Sequence, residues 1–236
     1  MIDKNLLIKT CADFGVDVNS ETAERFDLFA QLLIEKNKVL NLTAITEPDE
    51  VVVKHFADSL TALSMIDIPK GASVIDIGTG GGFPGIPLLI ARPDIKLTML
   101  DSTRKKLDFV SFAVEELGLS ANVLHARAEE AGQSELRESF DFAVSRAVAA
   151  LNVLCEYCLP FVKLNGTFCA MKGSKGKEEL ADAKGSIVTL GGKVTDSKIL
   201  TLSDGADRTL INIKKISHTP TKYPRPSAQI SKKPLK

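Results

Sequence analysis

The stretch Asp76-Ile77-Gly78-Thr79-Gly80-Gly81-Gly82-Phe83-Pro84-Gly85 decides the reading of this chain. Ahead of it, Ser73-Val74-Ile75-Asp76-Ile77 is a short β-rich run suited to a buried strand. Behind it, Pro87–Ala91 reads as a short helix stopped by Pro93. Strand, glycine loop and helix in that order open a βαβ unit, and the glycines let the backbone turn tightly and approach a ligand closely. Five glycines between Gly78 and Gly85 would weaken the fold if no ligand made use of them.

Downstream, strands are predicted at Ile95–Leu100, Asn122–His125, Phe140–Ser145 and Gly166–Met171, with two more at Lys193–Leu202 and Arg208–Ile216. Helices are predicted between them at Lys105–Leu117, terminated by Gly118, and at Ala147–Leu159, ended by Pro160. This alternation predicts an α/β fold with a doubly wound, mostly parallel sheet. Upstream the texture is helical. Ser20 is placed to cap a helix in which Phe26, Phe29, Ala30, Leu33 and Leu40 recur at helical spacing, and a second helix follows Pro48 from about Asp49 to Met65. The expected organisation is a helical cap over residues 1–68, a ligand-binding α/β domain over 69–216 and a tail over 217–236.

Composition is that of an ordinary globular chain: 236 residues, 44% hydrophobic and 25% charged. No apolar run reaches the length of a membrane span, Met1–Thr10 does not read as a secretory signal, and four cysteines are too few for a disulfide scaffold. A cytoplasmic protein with no membrane partner is expected. Net charge is zero, but its distribution is lopsided. No acid follows Asp207, whereas Arg208, Lys214, Lys215, Lys222, Arg225, Lys232, Lys233 and Lys236 are all basic. Such a segment is either a phosphate-contacting patch or a solvated tail.

Two cofactors suit the glycine loop. Gly80-x-Gly82-x-x-Gly85 matches the dinucleotide pattern, whereas Gly78-x-Gly80-x-Gly82 with Asp76 two residues ahead matches the loop of S-adenosylmethionine enzymes. A carboxylate at this strand end repels a pyrophosphate but accepts from a methionine ammonium, directly or through water, so Asp76 favours S-adenosylmethionine. Asp101, ending the second strand, suits ribose hydroxyls with either cofactor, and Glu129 follows the third strand, where its side chain or adjoining backbone can meet an adenine amino group. Arg146 closes the fourth strand, in reach of an acceptor oxygen, a phosphate or the donor carboxylate. His55, beside Phe56 and Leu60, reads equally as substrate-facing or structural, and Cys155-x-x-Cys158 as helix packing.

With these residues in place the chain resembles the glucose-inhibited division protein B family of bacterial small-subunit ribosomal RNA methyltransferases. The resemblance rests on Asn41-Leu-Thr-Ala-Ile45, His55-Phe-Ala-Asp58-Ser59-Leu60 and the glycine loop extended through Phe83-Pro-Gly-Ile-Pro87. It continues in Asp101-Ser-x-x-Lys105-Lys106, Arg127-Ala-Glu129, Ser145-Arg146-Ala147, Lys172-Gly173 and Tyr223-Pro224-Arg225. It departs after Arg225, where Pro226-Ser-Ala-Gln229 replaces the further basic residues and glycine common in the family. The resemblance implies a Rossmann-like methyltransferase sheet, S-adenosyl-L-methionine as cofactor, and donor contacts at Gly78, Phe83, Ala128, Glu129 and Arg146, to which the motif reading adds Asp76, Gly80, Gly82 and Asp101. It also implies 16S ribosomal RNA or a small-subunit ribosomal particle as partner, no DNA, a monomeric enzyme and guanine N7 as acceptor.

That chemistry agrees with what the sequence lacks. N7 carries a free lone pair and no proton, so neither a general base nor a covalent nucleophile is required. The chain has no Asp/Asn-Pro-Pro-Tyr run for amino-group methylation and no Pro-Cys pair for pyrimidine carbon methylation. N7 is on the deep-groove edge of A-form RNA, so the base must be in a loop or unstacked into the pocket, with Phe83 or the cap available to stack on it. All donor residues fall between Asp76 and Arg146, and the terminal segment is therefore expected to serve RNA and not the donor. The rival readings are a nicotinamide-dependent oxidoreductase and a non-catalytic RNA-binding protein on the same fold.

Overall fold

In the computed structural model, which describes residues 1–236, two capped helices come first, α1 (Lys4–Ala12) and α2 (Ser20–Leu40). Asp3 accepts the amides of Asn5 and Leu6, and Asn19 accepts that of Thr22 at 2.8 Å. The cap of α2 is thus Asn19, and Ser20 is the first helical residue. Proline opens α3 (Pro48–Val51), and the helical path continues through a π-helical turn (Val52–Ala57), a short α4 (Asp58–Leu60) and a 3-10 turn (Thr61–Ser64). The single helix expected after Pro48 is therefore widened in its middle, where the carbonyls of Lys54 and His55 accept from Arg146, a residue far along the chain.

The sheet then forms as β1 (Ser73–Ile77), α5 (Gly85–Ala91), β2 (Lys96–Asp101), α6 (Arg104–Glu116), β3 (Asn122–His125), α7 (Ala128–Ala131) and β4 (Phe140–Arg146). It continues with α8 (Leu151–Cys158), β5 (Val162–Lys172), α9 (Gly176–Asp182), α10 (Lys184–Thr189), β6 (Gly192–Thr201) and β7 (Asp207–Lys215), and a last short helix, α11 (Ser227–Lys232), follows. Strand order is β3-β2-β1-β4-β5-β7-β6. The first five strands are parallel, and β7 runs antiparallel to both β5 and β6. The predicted α/β sheet is observed, with this reversed pair at one edge. The helix expected from Ala147 begins only at Leu151, because residues 147–150 form a loop.

The chain leaves β1 outward through β2 and β3 and returns to β4 on the other side of β1, which makes the β1/β4 boundary the switch point where such sheets bind ligands beyond their carboxyl ends. Alternation along β1 sends Val74 to one face and Ile75 and Ile77 to the other. The Val74 face packs in one core with Phe26, Phe29, Leu33 and Phe56 of the N-terminal helices and with α5 and α6. The helical cap is therefore continuous with the core of the sheet.

The terminal segment is packed onto the fold and is not a solvated tail throughout. Tyr223, Pro224 and Ile230 are buried. Three of the eight basic residues are committed to internal ion pairs: Arg208 with Asp58 at 2.9 Å, Lys215 with Glu138 at 3.1 Å and Arg225 with Glu156 at 2.6 Å. Lys215 has no exposed surface and also donates to the carbonyl of Leu159. Formal charge counted along a chain does not separate solvated cations from buried ones.

Candidate active site

Asp76, at the end of β1, is fully buried beneath the glycine loop. Its Oδ2 accepts the Gly85 amide at 2.9 Å, while Oδ1 and the nearby Thr79 Oγ1 are buried without an aligned hydrogen-bond partner. Burial pushes the carboxyl up to about 7, against the pull of the Thr79 hydroxyl, the Gly85 amide and the Arg146 guanidinium; Asp101 adds to the rise. Gly78, Gly82 and Gly85 of the loop leave no room for a side chain. Gly78 has φ +75°, and a Cβ there would stand 2.5 Å from Val148 Cγ2. At Gly85 a Cβ would stand 2.8 Å from Asp76 Oδ2 and 2.7 Å from Met99 Sδ. Asp101 braces the loop from β2: Oδ2 accepts the Gly80 amide at 2.9 Å and Oδ1 that of Thr103 at 2.8 Å.

Beyond the strand ends lies a cavity of about 360 Å³. Of the residues singled out in the sequence, Gly78, Gly80, Asp101, Ala128, Glu129 and Arg146 stand on its wall. Asp76, Gly82 and Phe83 do not. Asp76 lies beneath the loop, where it accepts the Gly85 amide. Phe83 turns away into the cap, where its ring stacks on His55 with centroids 4.4 Å apart and packs against Phe29 at 5.5 Å. It is 7% exposed, with its ring covered by the cap. The wall also includes Lys106, Tyr157 and Ser227, which the sequence reading missed. Lys106 lies within the quoted Asp101-Ser-x-x-Lys105-Lys106 motif; Tyr157 and Ser227 carry no signal in the sequence.

Arg146 is held by the cap. One guanidinium nitrogen donates to the carbonyls of Lys54 and His55 and to Asp58 Oδ2 at 3.0 Å; the other donates to His55 Nδ1 at 3.2 Å. An arginine only donates, so Nδ1 of His55 is the bare nitrogen and Nε2–H donates to Thr43 Oγ1 at 2.7 Å. Burial, with the Arg146 charge beside it, lowers the imidazole to about 3, so His55 stays neutral. Asp58 is shared, its other oxygen taking Arg208. His55 is thus a support for Arg146. Cys155 and Cys158 are buried in the core with their thiols raised by burial, as packing residues.

Arg146 and Ala147 also border a second cavity of about 310 Å³, between the cap and the ends of β4 and β5. Its wall includes Asp58, Lys172, Glu179 and Arg208. Glu179 Oε2 accepts the Leu151 amide and the Lys172 ammonium, both at 2.8 Å, and Oε1 has no hydrogen-bond partner within the protein. Two chambers meeting at one arginine can hold two reactants end to end.

Residues 22–211 match the family model GidB, described as rRNA small subunit methyltransferase G. The chain is 46% identical to the ribosomal RNA small subunit methyltransferase G of Alkaliphilus metalliredigens, with all of both chains covered. It is 45% identical to the protein of that name from Clostridium perfringens, with 98% of each covered. Among solved structures it resembles TrmN from Thermus thermophilus (TM-score 0.54, 16% identity, 70% of this chain and 53% of that one). It also resembles M. jannaschii TYW2, solved in complex with AdoMet (TM-score 0.51, 15% identity, 63% and 71%). The latter two speak to the fold alone. Glycine loop, switch-point cavity and full-length relatives converge: the chain belongs to the GidB family of S-adenosylmethionine-dependent small-subunit rRNA methyltransferases.

Proposed function

We propose that the chain methylates N7 of a guanine in 16S ribosomal RNA, with the donor in the larger cavity and the unstacked base in the smaller one. The meeting of the two cavities at Arg146 and Ala147 carries this reading. The residues fit the donor. Asp101 offers free lone pairs to ribose hydroxyls, Glu129 and the Ala128 backbone stand where an adenine would lie, and Gly78 leaves the close approach that a side chain would block. Asp76 shapes the cradle through Gly85. When bound, the donor supplies a sulfonium methyl group to an acceptor with a free lone pair. No general base is needed, which agrees with a neutral His55 whose nitrogens are both engaged. What the chain contributes is alignment and exclusion of water, and holding two reactants in near-attack geometry is worth about 7–11 kcal/mol. Arg146, fixed by four contacts to the cap, faces guanine O6 from the junction, while Glu179 Oε1 accepts from the N1–H and 2-amino group.

Calorimetry with S-adenosylmethionine, S-adenosylhomocysteine and NAD, followed by methyl transfer to 16S RNA and to small-subunit particles, tests this. Mapping the product by cleavage at 7-methylguanine names the atom. NAD binding would support the oxidoreductase alternative, and RNA binding without donor binding the non-catalytic one. No helix of the chain is long and apolar enough to cross a membrane, and a cytoplasmic enzyme acting as a monomer is part of the proposal.

A further inference from the structure

The last twenty residues are fastened, contact by contact, onto the elements that wall the larger cavity. The Arg137 guanidinium, just beyond α7, donates to the carbonyls of Thr219 at 2.6 Å and Tyr223 at 2.7 Å. Gln133 Nε2 donates to the Pro224 carbonyl at 3.0 Å. Gly132, at the end of α7, is so close beneath Pro224 that a Cβ there would stand 3.1 Å from the proline ring. The strongest attachment is Arg225. Its Nε and terminal nitrogen engage both oxygens of Glu156, at 2.8 and 2.6 Å, and its backbone amide adds a third bond at 2.9 Å. Glu156 has no exposed surface, so this fork is what compensates its charge.

Two of the elements to which it is anchored border the cavity. Helix α7 carries Ala128 and Glu129, and Glu156 directly precedes Tyr157 on α8. Two residues beyond Arg225 the chain delivers Ser227 to the cavity wall, which it shares with Glu129 and Tyr157. A segment serving only to scatter positive charge over RNA would need none of this.

We propose that residues 217–236 are a structural part of the donor site: a strap, latched by Arg225 on Glu156, that supplies Ser227 and fixes the Ala128–Glu129 turn and Tyr157. The strap closes the part of the cavity wall that Ser227 shares with Glu129 and Tyr157, on the side of an adenosine. This rests on the donor reading given above. It reverses the expectation that every donor residue falls between Asp76 and Arg146 and that the terminal segment serves RNA alone.

The test uses the full chain and S-adenosylhomocysteine calorimetry, with thermal melts alongside. Ser227→Phe leaves the latch intact and fills the wall; it should melt as the parent does and bind at least about tenfold more weakly. Arg225→Lys keeps the charge but cannot present two parallel bonds to Glu156, and should raise the donor KM while the KM for RNA stays put. If Arg225→Lys fails to fold, Ser227→Phe alone decides. Parental donor affinity in a folded Ser227→Phe variant overturns the proposal, as does an Arg225→Lys variant that loses RNA affinity but not donor affinity. Absence of donor binding in the parent chain would be a different result, striking at the donor reading itself.

Discussion

Replacing Asp76 by Asn should stabilise the ligand-free protein at neutral pH and flatten its pH dependence. Burial lifts this carboxyl from its ordinary 3.8 to about 7, so the folded chain keeps a proton that the unfolded chain has released. The associated stability is complete below the unfolded value and drains away as pH rises to about 7. At roughly 1.4 kcal/mol per pH unit the whole swing is roughly 4 kcal/mol, of which about 2.5 kcal/mol falls between pH 5 and pH 8. Asparagine keeps an acceptor for the Gly85 amide and has no charge to bury. Urea denaturation of both proteins across pH 5–8, without donor, reads the difference. The variant should gain on the parent steadily up to about pH 7 and then hold its lead. A difference that does not change with pH would show that the Asp76 carboxyl titrates normally and would refute the reasoning.

Further outcomes follow from the same geometry. Asp76→Ala, which withdraws the acceptor of Gly85, should weaken donor binding more than Asp76→Asn; equal losses would instead mark a charge contact with the donor. Arg146→Lys cannot reproduce contacts shared between two guanidinium nitrogens and should lower turnover by about 10²-fold or more, with parental turnover in single-turnover assays as the contrary result. Gly78→Ala places a methyl group on Val148 at a left-handed residue and should reduce donor affinity measurably in calorimetry, while an unaffected Kd would move the donor elsewhere. Glu179→Gln should raise the KM for RNA without altering donor affinity, because a single carbonyl cannot serve both the Leu151 amide and a guanine; an unchanged KM would take Glu179 out of base recognition.

The amino-acid sequence by itself determined what depends on neighbours along the chain. The β-rich run of Ser73–Ile77, the glycines after it and the alternation of strands with helices were legible because strand and helix impose their periods locally. So was the placing of Asp101 and Glu129 beside the ligand crevice, since each ends or follows a parallel strand. Tertiary structure decided which way side chains turn and what holds them. Phe83 belongs to the cap because Phe29 and His55, from remote helices, make an aromatic slot for it. Arg146 owes its position to Asp58 and His55, and the widened turn that receives it lies in a segment whose sequence reads as plain helix. The terminal cations divide into free and latched only because Asp58, Glu138 and Glu156 meet Arg208, Lys215 and Arg225 across the fold. Hydrophobic period and turn chemistry are written residue by residue, whereas the partner of a buried charge is chosen by folding, which brings together groups that no spacing in the chain relates.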